Sequence, residues 1–290
     1  MKITGFTIIK NAVLNDYPVV ESIRSILPVV DEMLVSIGES TDATEELIRS
    51  INSPKIRIMH TVWDKNISTG GSVLAVETNK AKQHVPKESD WLFYIQADEV
   101  IHEKYHEVIR ATAEKYLNDK RVDGLVFDYL HFYGTYDYVG DSRRWYHKEV
   151  RIIRNDPTIT AYRDAQGFRR NDKRINVKPV KAEVYHYGWV KSPRQMNEKQ
   201  RIALENFWRD QTEVARKVQA SEIFDYDDYD SLVRFNGTHP AVMKDRIEKM
   251  NWNIELDLNR KKFSLSDRLL YWYEKKTGIR LFDFRNYRII

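Results

Sequence analysis

Residues 90–100 read DWLFYIQADEV. The run Trp91-Leu92-Phe93-Tyr94-Ile95 has strand character, and it ends abruptly in Gln96-Ala97-Asp98-Glu99. Two adjacent acids at the exit of a buried strand admit two explanations: a cap for the next helix, or a carboxylate held out to a metal or polar ligand. The surrounding pattern decides what kind of fold delivers them. Upstream, strand-like and helix-like pieces alternate: Ile3 to Ile9 (strand), Tyr17 to Leu27 (apolar residues at helical spacing), Glu32 to Ile37 (strand), a helix after Thr41 or Asp42, Ile56 to Val62 (strand), and Val73 to Gln83 (helix). Strand–helix alternation predicts right-handed βαβ crossovers and an α/β fold with a mainly parallel central sheet flanked by helices.

Downstream of Asp98 the pattern changes. A helix is expected over Glu103 to Leu117, with strands over Gly124 to Tyr133, Glu149 to Arg154 and 182–190 (AEVYHYGWV). From Met196 to about Ala220 the sequence reads as helical. DYDDYD at 225–230 reads as an acidic linker before helices near 240–253 and 264–277. The expected organisation is an α/β domain over 1–190 and a helical C-terminal extension over 191–290.

The 290 residues are 42% hydrophobic and 31% charged, ordinary for a globular chain, and contain no cysteine, which excludes disulfide and thiolate chemistry. No stretch of ~18 apolar residues predicts a membrane span, and the opening MKITGFTIIKNAV reads as a first strand and not a leader. The cytoplasm, or the inner face of its membrane, is the expected compartment. The net charge of +4 is unevenly spread: residues 260–290 hold nine Lys or Arg against three acids, interleaved with Phe263, Tyr271, Trp272, Tyr273, Phe282, Phe284 and Tyr287. Such an end suits an anionic membrane surface or a phosphate-bearing acceptor; alternatively its aromatics pack on the body and its cations are solvated. Acids at the strand exits argue against a nucleic-acid partner.

In open α/β sheets ligands bind beyond the carboxyl ends of the strands. That rule collects Lys10 and Asn11 after the first strand, Glu39 and Asp42 after the second, Asp64 after the third, and Gln96 with Asp98 after the fourth. Asp98 is the sharpest metal candidate, since Mg²⁺ and Mn²⁺ take hard oxygen donors together with substrate phosphates. His186, an imidazole in an apolar strand, is the second. The segment GDSRRWYHKEVRIIRN (140–155) groups Arg143 and Arg144 beside Trp145, guanidiniums for a diphosphate and an aromatic face for a sugar or base. Asp164, in the polar loop AYRDAQGFRR, is a candidate general base.

FTIIKNA, YPVVESIRSILPVVDEMLV, GESTDATEELI and DWLFYIQADE together resemble the family 2 glycosyltransferases of the GT-A fold, more narrowly the bacterial branch acting on lipopolysaccharide and surface glycans. The resemblance covers about residues 1–190. It implies inverting, Mn²⁺- or Mg²⁺-assisted transfer from a nucleotide-diphosphate sugar to a glycan or lipid-linked acceptor. The family's paired acids fall on Gln96 and Asp98, so the first acid is replaced by an amide. Its second-strand aspartate falls on Ile37 or Gly38, leaving Glu39 or Asp42 to substitute. Its Arg-Asn pair falls on Thr78-Asn79, and its late-strand histidine on His186. The catalytic base is expected at Asp164, with Asp141 as second choice. The competing readings are a sugar-phosphate nucleotidyltransferase, which would want a glycine-rich loop where IIKNAVLND has none, and a carbohydrate-binding protein of the same fold without turnover.

Overall fold

The computed structural model describes residues 1–290. Its first part is the expected alternation: β1 (Ile3–Ile9), α1 (Val19–Ile26), β2 (Glu32–Gly38), α2 (Thr44–Arg49), β3 (Ile56–Thr61), α3 (Ser72–Gln83) and β4 (Trp91–Tyr94). The four strands are parallel in the order β3-β2-β1-β4. β1 and β4 are buried along their whole length, which is why both read as continuous apolar runs without alternation. From β1 the chain steps outward to β2 and β3, then crosses back through α3 to place β4 on the other side of β1. The order therefore reverses between β1 and β4, and a crevice opens beyond their carboxyl ends.

Beyond β4 the sheet becomes mixed. β5 (Glu99–Ile101) and α4 (His106–Lys115) lead to β6 (Gly124–Tyr133), β7 (Tyr138–Gly140), β8 (Lys148–Arg154), β9 (Ile159–Tyr162), β10 (Gly167–Arg170) and the long β11 (Lys173–Trp189). β8 runs antiparallel to both β4 and β6, while β6 and β11 are parallel. β5 pairs antiparallel with β11 and sets His186 opposite Glu99. That register brings the late strand to the β4 exit.

The last hundred residues are not helical alone. α5 (Pro193–Asn206) and α6 (Thr212–Gln219) replace the single helix expected there, β12 (Leu232–Arg234) pairs with β7, α7 (Lys244–Glu248) is short, and after α8 (Leu265–Thr277) the chain adds β13 (Tyr287–Ile289) beside β11. DYDDYD is also more than a linker. Tyr226 and Tyr229 are buried, and the Tyr226 hydroxyl donates to the Lys191 carbonyl at 3.0 Å.

Candidate active site at the β1 and β4 exits

The crevice at the strand reversal is a cleft with a volume of about 150 Å³, and its walls include Lys10, Tyr17, Trp63, Gln96, Asp98 and Phe207. β1 delivers Lys10 and β4 delivers Gln96 and Asp98, as their positions one to four residues past a strand end require. Trp63, past β3, folds across the β2 exit. A Cβ on Gly38 would stand 2.5 Å from the indole Nε1, so only glycine at that position admits the ring. Phe207 leans on Trp63 with ring centroids 5.7 Å apart, and the Lys10 ammonium lies 5.7 Å from the Trp63 ring centroid and 3.9 Å from Glu39.

At the inner end of the cleft the two acids of the opening stretch part company. Glu99 is 0% exposed and turns into the protein, where Arg151 grips it through Nε (2.7 Å) and Nη2 (2.5 Å) and the Tyr129 hydroxyl donates to it. Asp98 faces the cleft instead. Its Oδ2 lies 3.6 Å from His186 Nε2 and 3.4 Å from the Lys199 ammonium, which also donates to the Gly188 carbonyl at 2.8 Å. Burial alone would raise the Asp98 carboxyl, but the Lys199 and His186 charges beside it, with Lys191 further off, hold it well below the ordinary carboxylate range. Lys191 is itself buried; burial and the Lys199 charge push it down to about 7, although Asp16 opposes them.

The orientation of His186 is fixed by a second imidazole. His131 Nε2 donates to the Tyr146 carbonyl at 2.8 Å, and its Nδ1 lies 3.3 Å from His186 Nδ1. Burial, reinforced by His186, keeps His131 neutral, so its Nδ1 accepts and His186 Nδ1 donates. When His186 gives up its Nε2 proton, as binding a cation requires, the lone pair left on Nε2 faces Asp98. Gly188 makes the approach possible: a Cβ there would stand 2.6 Å from both Asp98 Oδ2 and His186 Nε2. Two donors 3.6 Å apart around a space that any side chain at 188 would fill suit one small cation. No third His, Asp or Glu joins them, so further positions would fall to water or substrate oxygens.

Of the remaining predicted residues, Asp164 lies against Gly71 and does not line the cleft. A Cβ on Gly71, just before α3, would stand 2.8 Å from both Asp164 Cβ and the Trp208 ring, next in sequence to cleft-lining Phe207. Burial raises its carboxyl above the ordinary range, which favours a proton acceptor. Asn11, Glu39, Asp42 and Asp64 are at the strand exits but largely occupied with backbone. Asn11 Oδ1 accepts from Thr41 N (2.8 Å), Glu39 from Trp63 N (2.8 Å), Asp42 from Leu14 N (2.8 Å) and Asp64 from Asn66 N (2.9 Å). They shape the loops around the cleft; only Glu39 also faces a cleft cation.

Five of the expected residues are engaged away from the cleft. Asn79 points away from the cleft and pairs with the backbone of Ala161, its Oδ1 accepting at 2.7 Å. Ser231 and Tyr271 donate to the two oxygens of Asp141, and Lys261 and Lys275 lie 3.6 and 3.5 Å away. Arg143 is spent on Glu274 (3.0 Å) and the Leu281 carbonyl (2.5 Å), and Arg144 on the Asp228 carbonyl (3.1 Å), so both fasten the C-terminal segments. Trp145 packs on His131, Tyr133 and Trp189, behind His186 and outside the cleft. Sequence reasoning missed Lys199, Gly188 and His131. A glycine inside the apolar strand VYHYGWV was the one available signal, since strand glycines often mark a close approach.

No family model matches this sequence, and no curated protein matches it. Solved structures do. TarS of S. aureus matches with 15% identity over 70% of this chain and 39% of that one, at a TM-score of 0.41. Residues 1–349 of TarS in complex with UDP-GlcNAc match with 14% identity over 76% and 72%, also at 0.41. Glucosyl-3-phosphoglycerate synthase from Mycobacterium tuberculosis, in complex with Mn²⁺, UDP and phosphoglyceric acid, matches with 18% identity over 45% and 43%, at 0.31. This chain thus spans about two-fifths of the TarS chain. With every score below 0.5, the functional reading rests on the cleft itself.

Proposed function

We propose that the chain is an inverting glycosyltransferase of the GT-A type that moves a sugar from a nucleotide-diphosphate donor to a glycan or lipid-linked acceptor with help from Mn²⁺ or Mg²⁺. The observation that carries this reading is the Asp98–His186 pair around the Gly188 gap, with Asp98 itself lining the cleft at the strand reversal. Trp63 and Phe207 offer faces to a base or sugar, and Lys10 offers a cation to the diphosphate. A divalent cation held by Asp98 and His186 would supply positive charge against the leaving diphosphate. Asp164 takes the proton of the acceptor hydroxyl as its oxygen bonds to the sugar carbon; the carbon–phosphate-oxygen bond breaks and the nucleoside diphosphate leaves. A nucleotidyltransferase remains the second reading only by virtue of the shared α/β cleft, and no glycine-rich loop follows β1 to cradle a triphosphate.

A thermal-shift screen of nucleotide sugars with and without Mn²⁺ tests the reading. Near saturation (about a hundredfold over Kd) a true donor stabilises by ~2.7 kcal/mol, a shift of several degrees. Silence across the whole panel overturns the proposal, and pyrophosphate release from a nucleoside triphosphate plus sugar phosphate would favour the competitor.

The C-terminal segment supports a membrane-bound or lipid-linked acceptor. Its aromatics divide: Phe263, Tyr271, Tyr273 and Tyr287 turn inward to various degrees, while Trp272, Phe282 and Phe284 face out. On α8, Leu265 (86% exposed), Leu269 and Trp272 form one apolar stripe at i, i+4, i+7, and past the helix Phe282 (89% exposed) and Phe284 are exposed too. Around it Lys261, Lys262, Arg268, Lys275, Lys276, Arg285 and Arg288 are exposed, against Asp267 alone among the acids. No helix is long and apolar enough to cross a membrane, so the chemistry is that of a helix lying in the interface of an anionic leaflet. The protein is expected to co-sediment with phosphatidylserine-containing vesicles, and Leu269→Glu with Phe282→Glu to abolish it. Equal recovery with and without vesicles would sink this assignment.

A further inference from the structure

The ammonium of Lys199, carried on α5, stands beside the Asp98 carboxylate. It lies 3.4 Å from Asp98 Oδ2, 2.8 Å from the Gly188 carbonyl and 4.9 Å from the Tyr17 ring centroid. The helix that carries it is firmly set. Ser192 caps α5 by accepting from Gln195 N at 3.3 Å, Pro193 opens its first turn, Met196 is fully buried, and Asn197 Nδ2 donates to the Ser221 carbonyl at 2.8 Å. The backbone is therefore fixed while the four-carbon stem leaves the ammonium free to swing. The oxygen it holds is the same Oδ2 that faces His186 Nε2. A divalent ion bonded to that oxygen would sit at about 2 Å from it, and two cations sharing one carboxylate oxygen in a buried pocket repel strongly. Lysine and metal are thus alternative partners of one seat, and Gln96, being neutral, offers no second carboxylate to accommodate both.

Building on the donor-site reading above, we propose that Lys199 is a tethered counter-ion: it occupies the cation seat on Asp98 in the donor-free protein and turns to the diphosphate when donor and metal enter, so that divalent metal loads in company with diphosphate and not ahead of it. An incoming diphosphate supplies the oxygens that Lys199 needs on leaving Asp98 and that the metal needs to complete its shell. The lysine then neutralises the leaving group alongside the ion. This makes Lys199 a residue that couples two ligands, a role that neither simple packing nor a simple ion pair would produce.

Mn²⁺ binding, read by electron paramagnetic resonance of the free ion and by calorimetry, tests the coupling on the wild type, Lys199→Gln and Lys199→Arg, each alone and with UDP or GDP. Circular dichroism verifies that the variants fold. The wild type is expected to bind Mn²⁺ weakly alone and about tenfold more tightly with the effective nucleotide, a factor within the usual range of coupling. Lys199→Gln is expected to bind Mn²⁺ alone about tenfold more tightly than the wild type and to lose most of the nucleotide effect. Lys199→Arg, which keeps the charge, is expected to behave like the wild type. Equal Mn²⁺ affinity in wild type and Lys199→Gln without nucleotide overturns the proposal. So does nucleotide binding that ignores Mn²⁺ in the wild type and collapses in Lys199→Gln, an outcome that would make the lysine a permanent substitute for metal and leave the donor site standing. Failure of every variant to bind either nucleotide or metal overturns both the coupling and the donor site.

Discussion

Asp98→Asn is expected to lower sugar transfer by about 10²–10³-fold or more, the scale seen when one preorganised electrostatic partner is removed from a reacting centre. Size and shape are kept and only the charge is lost, so the far-ultraviolet circular dichroism should not change. The carboxylate is the common partner of His186 and Lys199, and both would face a neutral amide that holds a cation far more weakly. Near-normal transfer by the variant, with an unaltered response to Mn²⁺, would remove Asp98 from the reaction. The depressed titration of this group adds a pH signature. Its contribution to stability is complete above the unfolded carboxyl value of ~4 and fades as pH falls through the lower folded value. The wild type is therefore expected to lose stability in acid along a limb that Asp98→Asn lacks, which urea unfolding at a series of pH values would resolve.

Arg151→Leu is expected to act oppositely, on stability first. Arg151 and Glu99 are both shut off from solvent, joined by two hydrogen bonds, with the Tyr129 hydroxyl on the same carboxylate. Removing the guanidinium strands Glu99 in the interior. It also removes the charge that restrains Glu149, a buried neighbour already pushed up to about 8 by its burial. Breaking one side of such a pair costs about 3–5 kcal/mol, or roughly 5–15 °C in a chain of this size. Removing both partners, in Glu99→Leu with Arg151→Leu, should restore a large part of that loss, because no unpaired charge then remains. A single-variant loss below ~1 kcal/mol would show that the pair does not brace the β4 exit.

The contrast between these neighbours shows what could be read from residues 90–100 alone. The strand, its exit and the acids were legible because apolar runs and strand–helix alternation are local. Lys10, Gln96 and Asp98 reached the cleft because the rule for strand ends in parallel sheets needs only sequence order. The division of labour between Asp98 and Glu99 was not legible, since it depends on Arg151, which arrives on β8 from 52 positions away. Arg143, Arg144 and Asp141 misled for the same reason: their partners are in residues 228–281, and nothing near 141–144 announces them. Lys199 was invisible because a lysine on a helix reads as surface; only the approach of α5 to the β11 end gives it an acid to hold.

Gly38 and Trp63 carry a consequence for selectivity. At the β2 exit, where the resemblance places an aspartate on Ile37 or Gly38 for base or ribose recognition, this chain has a bare α-carbon with an indole laid over it. A carboxylate distinguishes donors from acceptors on a ring, whereas an aromatic plane attracts every base through its π-face. Were the base of the proposed donor to meet that indole, the contact would be open to any base and would favour breadth over discrimination.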